Sequence, residues 1–291
     1  MKPAPFEYHA PATIEEAVQM MASLDNPKAL AGGQSLVPMM NFRYVMPDNI
    51  VDLNNVAALA GIAENGNVVR IGATTRQREV EFSDLIARRV PLFQAALQHV
   101  GHRQTRNRGT IGGSVAHADP SAESPTVLAA HDARIFIAGS GGQRVVPMSE
   151  FNLAFMTTAV ASDELLVAIE IDAWPPGHGY SFQEFARRHG DFAIVGVACL
   201  LALDHDRRIE RASLTLCGIN IGPVRMHAAE KILLGTAGDR AEILQAADAC
   251  GEIEAVQDFH ASSDYRRHLA RVLSARAIAQ ALERCKPASR N

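Results

Sequence analysis

The runs AGGQS at residues 31–35 and TIGGS at residues 110–114 are the most informative stretches of this sequence. Each run places two consecutive glycines just before a serine. Glycine adopts positive φ and permits close approach to the backbone, so consecutive amides can point into one concavity. The two runs therefore predict a pair of loops that bind a diphosphate, and they favour a nucleotide cofactor.

The usual nucleotide-binding signatures are absent from the sequence. No G-x-G-x-x-G run lies between a predicted strand and a predicted helix, and no G-x-x-x-x-G-K-[ST] motif occurs. These absences argue against the common dinucleotide and P-loop folds. A G-x-S-x-G motif is also absent, so we interpret Ser35 and Ser114 as hydroxyl donors to phosphate and not as nucleophiles.

The composition is typical of an ordinary globular protein. The 291 residues suffice for two or three compact units, at about 100–200 residues per domain. With 28 basic and 32 acidic residues, the net charge of −4 gives no electrostatic basis for binding nucleic acid or an anionic membrane. No apolar run approaches the roughly 18 residues of a membrane span, and the first residues lack the apolar segment of a signal peptide. We therefore expect a cytoplasmic protein.

Cysteine and histidine positions give no support for a metal site. The four cysteines show no C-x-x-C spacing, and the eleven histidines form no H-E-x-x-H pair. We expect buried thiols, and neither an iron–sulfur cluster nor zinc on this chain. The four cysteines are Cys199, Cys217, Cys250 and Cys285.

Residues 1–56 are predicted to form a small α/β unit. Thr13 and Glu16 have the spacing of a capping box, which predicts the start of a helix. Ile14, Ala17, Val18 and Met21 share one face of that helix, which we expect to end near residues 26–27. The short apolar runs at 28–30 and 50–53 are predicted strands.

Residues 57–176 are predicted to form a middle unit, in which helices separate strands. The second glycine run follows a polar segment at 102–109, which we interpret as a loop. The glycines at 139–142 indicate a hairpin. The predicted strands are 68–71, 133–137, 144–147 and 165–171, and the predicted helices are 77–86 and 92–100.

Residues 177–291 are predicted to form a C-terminal unit that begins with long apolar strands and continues with helices. The strands 193–203 and 209–217 flank a polar turn, which indicates an antiparallel hairpin. Strands followed by helices favour an α+β fold over a repeating parallel one. The predicted helices are 224–234, 241–249 and 265–282.

Four segments together resemble a known family. They are AGGQSL at 31–36, NRGTIGGS at 107–114, AHADP at 116–120 and RRHGDFA at 187–193. With them the sequence resembles, over its whole length, the FAD-binding medium subunit of the molybdenum hydroxylases. That family includes carbon monoxide dehydrogenases and N-heterocycle hydroxylases, and its flavin domain is fused into xanthine dehydrogenase.

The resemblance implies a three-domain FAD-binding fold of the PCMH, or vanillyl-alcohol-oxidase-like, type. FAD would lie between the N-terminal and middle units, with its diphosphate on the two glycine runs and its ring near the C-terminal unit. The implied site contains no catalytic residue and no metal ligand of this chain. The implied FAD-binding residues are Ala31, Gly32, Gly33, Gln34, Ser35, Leu36, Thr110, Ile111, Gly112, Gly113, Ser114, Asp119, Glu123, Leu166, Asp191 and Phe192.

Two departures from the family pattern concern charged positions. Relatives usually have aspartate at the position of Glu123, and several place a lysine where Gln183 and Glu184 stand. Arg187 or Arg188 is a candidate for the missing positive charge near the flavin. The flavin potential therefore does not transfer from those relatives.

The resemblance also implies partners and a role. A large subunit with the molybdenum cofactor would hydroxylate the substrate, and a small subunit with two [2Fe-2S] clusters would deliver electrons to FAD on this chain. The assembly would be a dimer of heterotrimers, with substrate and final acceptor left open. Two alternatives stay open: a self-sufficient vanillyl-alcohol-oxidase-like flavoenzyme, and an assembly scaffold without FAD.

Overall fold

The computed structural model describes residues 1–286. Its N-terminal part is a three-stranded parallel sheet in the order β1-β3-β2, accompanied by two helices. Strand β1 was not predicted, because three residues give too short a pattern to recognise. The elements are β1 Glu7–His9, α1 Ile14–Ser23, β2 Pro27–Leu30, α2 Leu36–Asn41 and β3 Asn49–Asp52.

Helix α1 begins where the capping pattern predicts. The Thr13 hydroxyl accepts a hydrogen bond from the Glu16 amide at 3.1 Å. The Glu16 carboxylate accepts from the amide of Ala12 at 2.8 Å, one residue before the expected partner. Val18 and Met21 are buried in a cluster that also contains residues of the middle part. The predicted apolar face of α1 is therefore confirmed.

The middle part contains an antiparallel sheet in the order β4-β5-β10-β6-β7. The last strand of this part, β10, lies at the centre of the sheet, where it pairs with β5 on one side and β6 on the other. The strands of this part are β4 Ile62–Asn65, β5 Val68–Gly72, β6 Arg134–Gly139, β7 Gly142–Pro147, β8 Asn152–Ala154, β9 Thr157–Thr158 and β10 Leu165–Asp172. The predicted hairpin at 133–147 and the strand at 165–171 are confirmed.

The helices of the middle part differ from the prediction in four places, and two of the differences are the helices at 111–117 and 123–130, which were not predicted. The predicted helix 77–86 is two helices, because the Ser83 hydroxyl caps a new helix by accepting from the Ile86 amide at 3.3 Å. The predicted loop 102–109 contains a helix with no buried residue, so it lacks the apolar period that identifies helices. The helices are α3 Gln77–Glu81, α4 Asp84–Arg89, α5 Pro91–Leu97, α6 Arg103–Arg108, α7 Ile111–His117 and α8 Glu123–Ala130.

The C-terminal part is an antiparallel sheet in the order β11-β12-β13-β14, followed by three helices. The helix predicted from residue 224 begins later, because residues 224–225 pair with the sheet as β14. The elements are β11 Gly179–Phe185, β12 Val195–Leu203, β13 Ile209–Cys217, β14 Val224–Arg225, α9 His227–Leu233, α10 Arg240–Gly251 and α11 Ser263–Arg284. The predicted α+β class is confirmed.

The C-terminal sheet is covered on both faces. Every residue of β12 is buried. Val195, Val197 and Cys199 belong to the core beneath α9–α11. Ala198 and Leu200 belong to the core of the middle part, together with side chains of α5 and α8. The unbroken apolar run of β12 follows from this double coverage. Among the helices described, none has the length and apolar character that crossing a membrane requires.

Arg266 joins four segments of the C-terminal part. Its guanidinium donates to the carbonyl oxygens of Ile194 and Gly218 at 2.6 and 2.7 Å, and to the Asp258 carboxylate at 2.6 Å. The side chain of Arg266 is 5% exposed. A buried guanidinium with these acceptors fixes the ends of β12 and β13 relative to α11.

We expect Arg266→Met to lower the free energy of unfolding by about 3 kcal/mol, because two carbonyls and a carboxylate lose their donor. Urea denaturation followed by circular dichroism measures the change. The control is Arg271→Met in the same helix, whose partner Asp248 and own side chain are both more than half exposed. The control should cost less than about 1 kcal/mol. Equal losses in the two variants would contradict the role of Arg266.

Candidate functional site

A cleft of about 820 Å³ lies where the three parts of the chain meet. This volume is within the roughly 300–1,000 Å³ typical of ligand pockets. The sixteen residues expected at the FAD site line this cleft, with the exception of Ile111. Ile111 is fully buried in the core of the middle part and does not line the cleft.

The first glycine run leaves backbone donors open. Gly33 has a φ of +73°, which turns the chain from β2 into α2. Within residues 1–286, the amides of Gly33, Gln34, Ser35 and Leu36 have no hydrogen-bond acceptor. The Ser35 hydroxyl also makes no capping bond to α2. These groups line the cleft and match the donor set expected of a diphosphate site.

The second glycine run is the start of α7 and not a loop. Thr110 is its N-cap, and the Thr110 hydroxyl accepts from the Gly113 amide at 3.1 Å. The amides of Ile111 and Gly112 donate to the carbonyls of Thr75 and Ala73 at 3.0 and 2.9 Å. The prediction that both runs offer consecutive amides to a ligand is therefore wrong for the second run, whose amides bind the protein itself.

Gly112 is required by packing. A Cβ atom at Gly112 would lie 2.6 Å from the Cβ of Ala73 and 2.7 Å from its carbonyl oxygen. Such distances are shorter than any real contact, so a side chain would separate α7 from the chain beyond β5. Helix α7 lines the cleft with the glycines and with the side chains of Ser114, Ala116 and His117.

The two runs are in direct contact. A Cβ at Gly32 would lie 2.5 Å from the carbonyl oxygen of Arg108 and 2.8 Å from the Cα of Gly109. Arg76 strengthens this contact, because its guanidinium donates to the Arg108 carbonyl and to the Asn54 side chain. Asn54 in turn donates to the carbonyl of Ala31 at 3.0 Å. Arg76 and Asn54 are residues that the sequence analysis missed.

Gln77 is a third residue that the sequence analysis missed. It lines the cleft, it is 4% exposed, and its side-chain oxygen has no hydrogen-bond partner among the described residues. This oxygen is inaccessible from the cleft and packs against the backbone before α7, where a Cβ at Gly109 would lie 2.5 Å from it. No motif surrounds Gln77 in the sequence, so only its position in the fold identifies it.

Two carboxylates lie on the opposite wall of the cleft. The Asp119 carboxylate accepts from the Ser121 amide at 2.8 Å, and this turn follows Ala118 in the left-handed region. Glu123 was expected on the same loop, but it is the first residue of α8 and 9% exposed. Burial raises the pKa of Glu123 to about 7; its own backbone amide opposes this rise, and the Asp119 carboxylate adds to it.

The C-terminal part contributes a turn to the cleft. Gly190 has a φ of +84°, and the Asp191 amide donates to the Arg188 carbonyl at 3.1 Å. A Cβ at Gly190 would lie 2.6 Å from the His102 ring, so this turn packs on the segment before α6. Asp191, one of the residues implied for FAD binding, lies in this turn and lines the cleft.

Leu166 and Phe192, two of the residues implied for FAD binding, differ in exposure. Leu166 is 6% exposed and belongs to the central strand of the middle sheet. Phe192 is 73% exposed at the rim of the cleft, directly after the turn at Asp191. The apolar side chain of Leu166 and the exposed ring of Phe192 are suited to contact with a planar ring. No motif in the sequence identifies either position.

Gln183 and Glu184 point to opposite faces of the C-terminal sheet. The Gln183 side chain donates to Gln280 of α11 at 3.0 Å, on the face away from the cleft. Glu184 is on the other face, toward α8, and lies outside the cleft lining. Neither side chain supplies the positive charge that relatives place in this stretch.

The cysteines are free and buried, as predicted. Burial raises the pKa of each thiol, so these side chains are poor nucleophiles and poor metal ligands. Across the described part of the chain, no three histidine, cysteine or acidic side chains are placed to hold a metal ion.

Comparison with known families covers nearly the whole chain. Residues 4–174 match the family described as "FAD binding domain in molybdopterin dehydrogenase", and residues 180–281 match "CO dehydrogenase flavoprotein C-terminal domain". The chain belongs to the FAD-binding medium subunits of the molybdenum hydroxylases. The predicted family, the FAD cofactor and the oxidoreductase class are confirmed.

Individual medium-subunit relatives match from end to end. The chain is 38% identical to subunit alpha of the 6-hydroxypseudooxynicotine dehydrogenase complex of Paenarthrobacter nicotinovorans, over 99% of this chain and 98% of that one. It is 34% identical to the carbon monoxide dehydrogenase medium chain of Hydrogenophaga pseudoflava, over 98% and 100%.

Solved structures give the same result. A carbon monoxide dehydrogenase structure from H. pseudoflava matches with a TM-score of 0.95 at 35% identity, covering 98% of this chain and 100% of that one. Quinoline 2-oxidoreductase from Pseudomonas putida 86 matches with a TM-score of 0.93 at 35% identity, covering 97% and 99%. These relatives are named for different substrates, so the medium-subunit fold does not indicate which substrate the complex uses.

We expect Gly33→Val to weaken FAD binding about tenfold or more while the chain stays folded. A β-branched residue at positive φ is strained, and the strain displaces the open amides that follow. FAD released on denaturation and the far-ultraviolet circular dichroism spectrum measure the two effects. The control is Gly141→Val, because a Cβ there meets no atom within 4 Å. Unchanged FAD content in Gly33→Val would contradict the assignment.

Gly112→Val should behave differently, because its Cβ would collide with Ala73. We expect a loss of about 2 kcal/mol or more in the free energy of unfolding, comparable to other overpacked core positions. Urea denaturation of the FAD-free chain measures it. A variant that is as stable as the wild type and lacks only FAD would show that the second run acts through its ligand and not through packing.

Proposed function

We propose that this chain is the electron-transfer subunit of a molybdenum hydroxylase. It would take electrons from the [2Fe-2S] clusters of a small partner subunit and pass them to an external acceptor. When bound, FAD supplies the redox chemistry, and the protein supplies position and electrostatics. Substrate hydroxylation would take place on a large partner subunit with the molybdenum cofactor, so no residue of this chain is assigned a catalytic role.

The end-to-end match to medium chains carries this proposal. The carbon monoxide dehydrogenase medium chain is covered over 100% of its length, so this chain contains the equivalent of a whole subunit. The matching carbon monoxide dehydrogenase structure from H. pseudoflava is described as lacking the Mo-pyranopterin moiety of the molybdenum cofactor. The other relative is named as one subunit of a dehydrogenase complex. These names support an assembly in which this chain is one of several subunits.

The cleft fits FAD in size and in the chemistry of its walls. The open amides at 33–36, with the Ser35 and Ser114 hydroxyls, would hold the diphosphate. Asp119 and Glu123 would bind hydroxyl groups of the ribose or ribityl chain. Among the predicted residues, Gly112 and Gly113 would act indirectly, because they shape α7.

Leu166 and Phe192 would contact the flavin ring. The exposed position of Phe192 places this end of the cleft at the protein surface. An electron carrier needs such a surface, because electrons enter from one protein and leave to another acceptor. We propose a dimer of heterotrimers as the assembly, by similarity to the relatives.

Co-purification with the neighbouring gene products tests the proposal. We expect one noncovalently bound FAD per chain, together with iron–sulfur absorbance and molybdenum in the assembly. Flavin on the isolated chain without such partners would favour a self-sufficient flavoenzyme. A chain that stays colourless after incubation with FAD would favour the assembly scaffold.

We expect the isolated FAD-loaded chain to hydroxylate no substrate, because the hydroxylating centre belongs to another subunit. Anaerobic mixing with the substrate should leave its flavin absorbance unchanged, whereas the assembled complex should bleach it. The matched control is chemical reduction by dithionite, which should bleach the flavin in both samples. Turnover by the isolated chain would contradict the proposal.

A further inference from the structure

A series of side-chain hydrogen bonds crosses the boundary between the N-terminal and middle parts beside the cleft. The Arg76 guanidinium donates to the Arg108 carbonyl and to the Asn54 side-chain oxygen, each at 2.5 Å. The Asn54 side-chain nitrogen donates to the Ala31 carbonyl at 3.0 Å. We call these two side chains the Arg76–Asn54 bridge. It connects the first glycine run to the segment that leads into α7.

The backbone of Arg76 is fixed to the second glycine run. Arg76 pairs with Thr110 as an isolated β-bridge. The next amide, that of Gln77, donates to the Gly109 carbonyl at 2.8 Å. The Arg76 side chain therefore starts from a rigid base in the middle part and reaches across to the N-terminal part.

Asn54 uses every hydrogen-bonding group of its side chain. The oxygen accepts from Arg76, and the two amide protons go to the Ala31 carbonyl and the Asp52 carboxylate. A reversed amide would place its oxygen against two acceptors and its protons against a guanidinium, so the orientation of the side chain is determined. The Tyr8 hydroxyl donates to the Asp52 carboxylate at 2.6 Å. The bridge is thus anchored on two strands of the N-terminal sheet.

The two carbonyls that the bridge holds lie close to the groups expected at the diphosphate. Ala31 precedes Gly33, the first of the open amides, by two residues. Arg108 precedes Thr110, the N-cap of α7, by two residues as well. A shift of either carbonyl would move the groups that follow it. The bridge therefore acts on the separation between the open amides and the Ser114 side chain of α7.

The backbone contact at Gly32 and the bridge act in opposite directions. The contact sets the closest approach of the two segments, because no side chain fits between Gly32 and Arg108. Such a contact does not prevent the segments from moving apart. The hydrogen bonds of the bridge do, because hydrogen bonds weaken as the donor and acceptor separate. The two interactions together define the distance between the segments.

We expect the fold to survive without the bridge. Asn54 is exposed and Arg76 is partly exposed, so water can replace the partners that a substitution removes. The N-terminal and middle parts are also joined by an apolar cluster that contains Val51 and Leu165. Removing the bridge should therefore loosen the cleft and leave the chain folded.

We propose that the Arg76–Asn54 bridge preorganises the diphosphate site, and that Arg76 and Asn54 are positioning residues for FAD binding. Neither residue lines the cleft, so both act through the segments that they hold. Without the bridge, only a fraction of the molecules has the segments at the binding distance, and the apparent Kd rises by the inverse of that fraction. The inference rests on the proposed FAD site.

The first experiment titrates FAD into the full chain and follows the quenching of flavin fluorescence. We expect Asn54→Ala and Arg76→Met each to raise the Kd about fivefold. The double variant should raise the Kd by the same factor, because either substitution alone disconnects the two parts. An unchanged Kd in both single variants overturns the proposal. So does a double variant whose effect is the product of the single effects, because the two side chains would then act independently.

Arg76→Lys is a conservative variant that tests the geometry of the bridge. Its ammonium keeps the charge and a donor, but it lacks the planar fork that bonds two acceptors at once. We expect its Kd to lie between those of the wild type and Arg76→Met. If Arg76→Met does not fold, Arg76→Lys and Asn54→Ala decide the test. A lysine variant that binds FAD as weakly as a folded Arg76→Met overturns a role for the donor.

A similar arrangement elsewhere in the middle part supplies the controls. Arg89 donates to the Asn67 side-chain oxygen at 2.9 Å. Asn67 donates to the Ala173 carbonyl at 3.0 Å, and none of the three residues lines the cleft. Arg89→Met and Asn67→Ala should therefore change the Kd for FAD less than about twofold. Equal losses of FAD affinity in these controls and in the bridge variants would overturn the proposal.

The second experiment uses ADP as a competitor of FAD, because ADP contains the adenosine and a diphosphate but no flavin ring. We expect the bridge variants to weaken ADP and FAD by the same factor, since the affected donors bind the diphosphate. Weakened FAD with unchanged ADP overturns the proposal. A wild type that binds no FAD overturns the proposed FAD site itself. A wild type that binds FAD no more tightly than the bridge variants overturns only the role of the bridge.

Discussion

The cleft depends on the contact of two backbone segments at Gly32. No side chain fits between Gly32 and the backbone at 108–109, so the first glycine run and the approach to α7 lie against each other. The Arg76 guanidinium and the Asn54 amide donate hydrogen bonds to the carbonyls of the same two segments, and they also bond to each other. These contacts join the N-terminal and middle parts beside the cleft, which residues of both parts line.

The two glycine runs look alike in the sequence and have different roles in the structure. The first run ends in open amides, because α2 begins without a side-chain cap. The amides of the second run donate to the protein itself. Thr110 caps α7, and the carbonyls of the residues after β5 accept hydrogen bonds from the amides of Ile111 and Gly112. Glycine is required in the second run by contact with Ala73. A diphosphate would therefore be bound mainly by one segment and only supported by the other.

The parts of the fold that the sequence predicts are those with a strong local pattern. Strands β12 and β13 are long apolar runs, and Thr13 with Glu16 marks the start of α1. Helix α6 escaped prediction because it buries no side chain. The sequence did not predict the roles of Gln77, Asn54 and Arg76, because those roles depend on contacts with segments distant in the chain. Family resemblance located fifteen residues of the cleft lining, but it did not reveal that Ile111 points into the core.

The double coverage of β12 bears on how a chain of this kind evolves. Two families are recognised separately in the sequence, meeting between residues 174 and 180. Phe182, Ala198 and Leu200, which lie beyond that junction, belong to the core of the preceding part. Separating the two halves would therefore expose the apolar surfaces that meet in this shared core. Such a chain can be inherited or fused as a whole, whereas exchanging one half with another protein would require a new core.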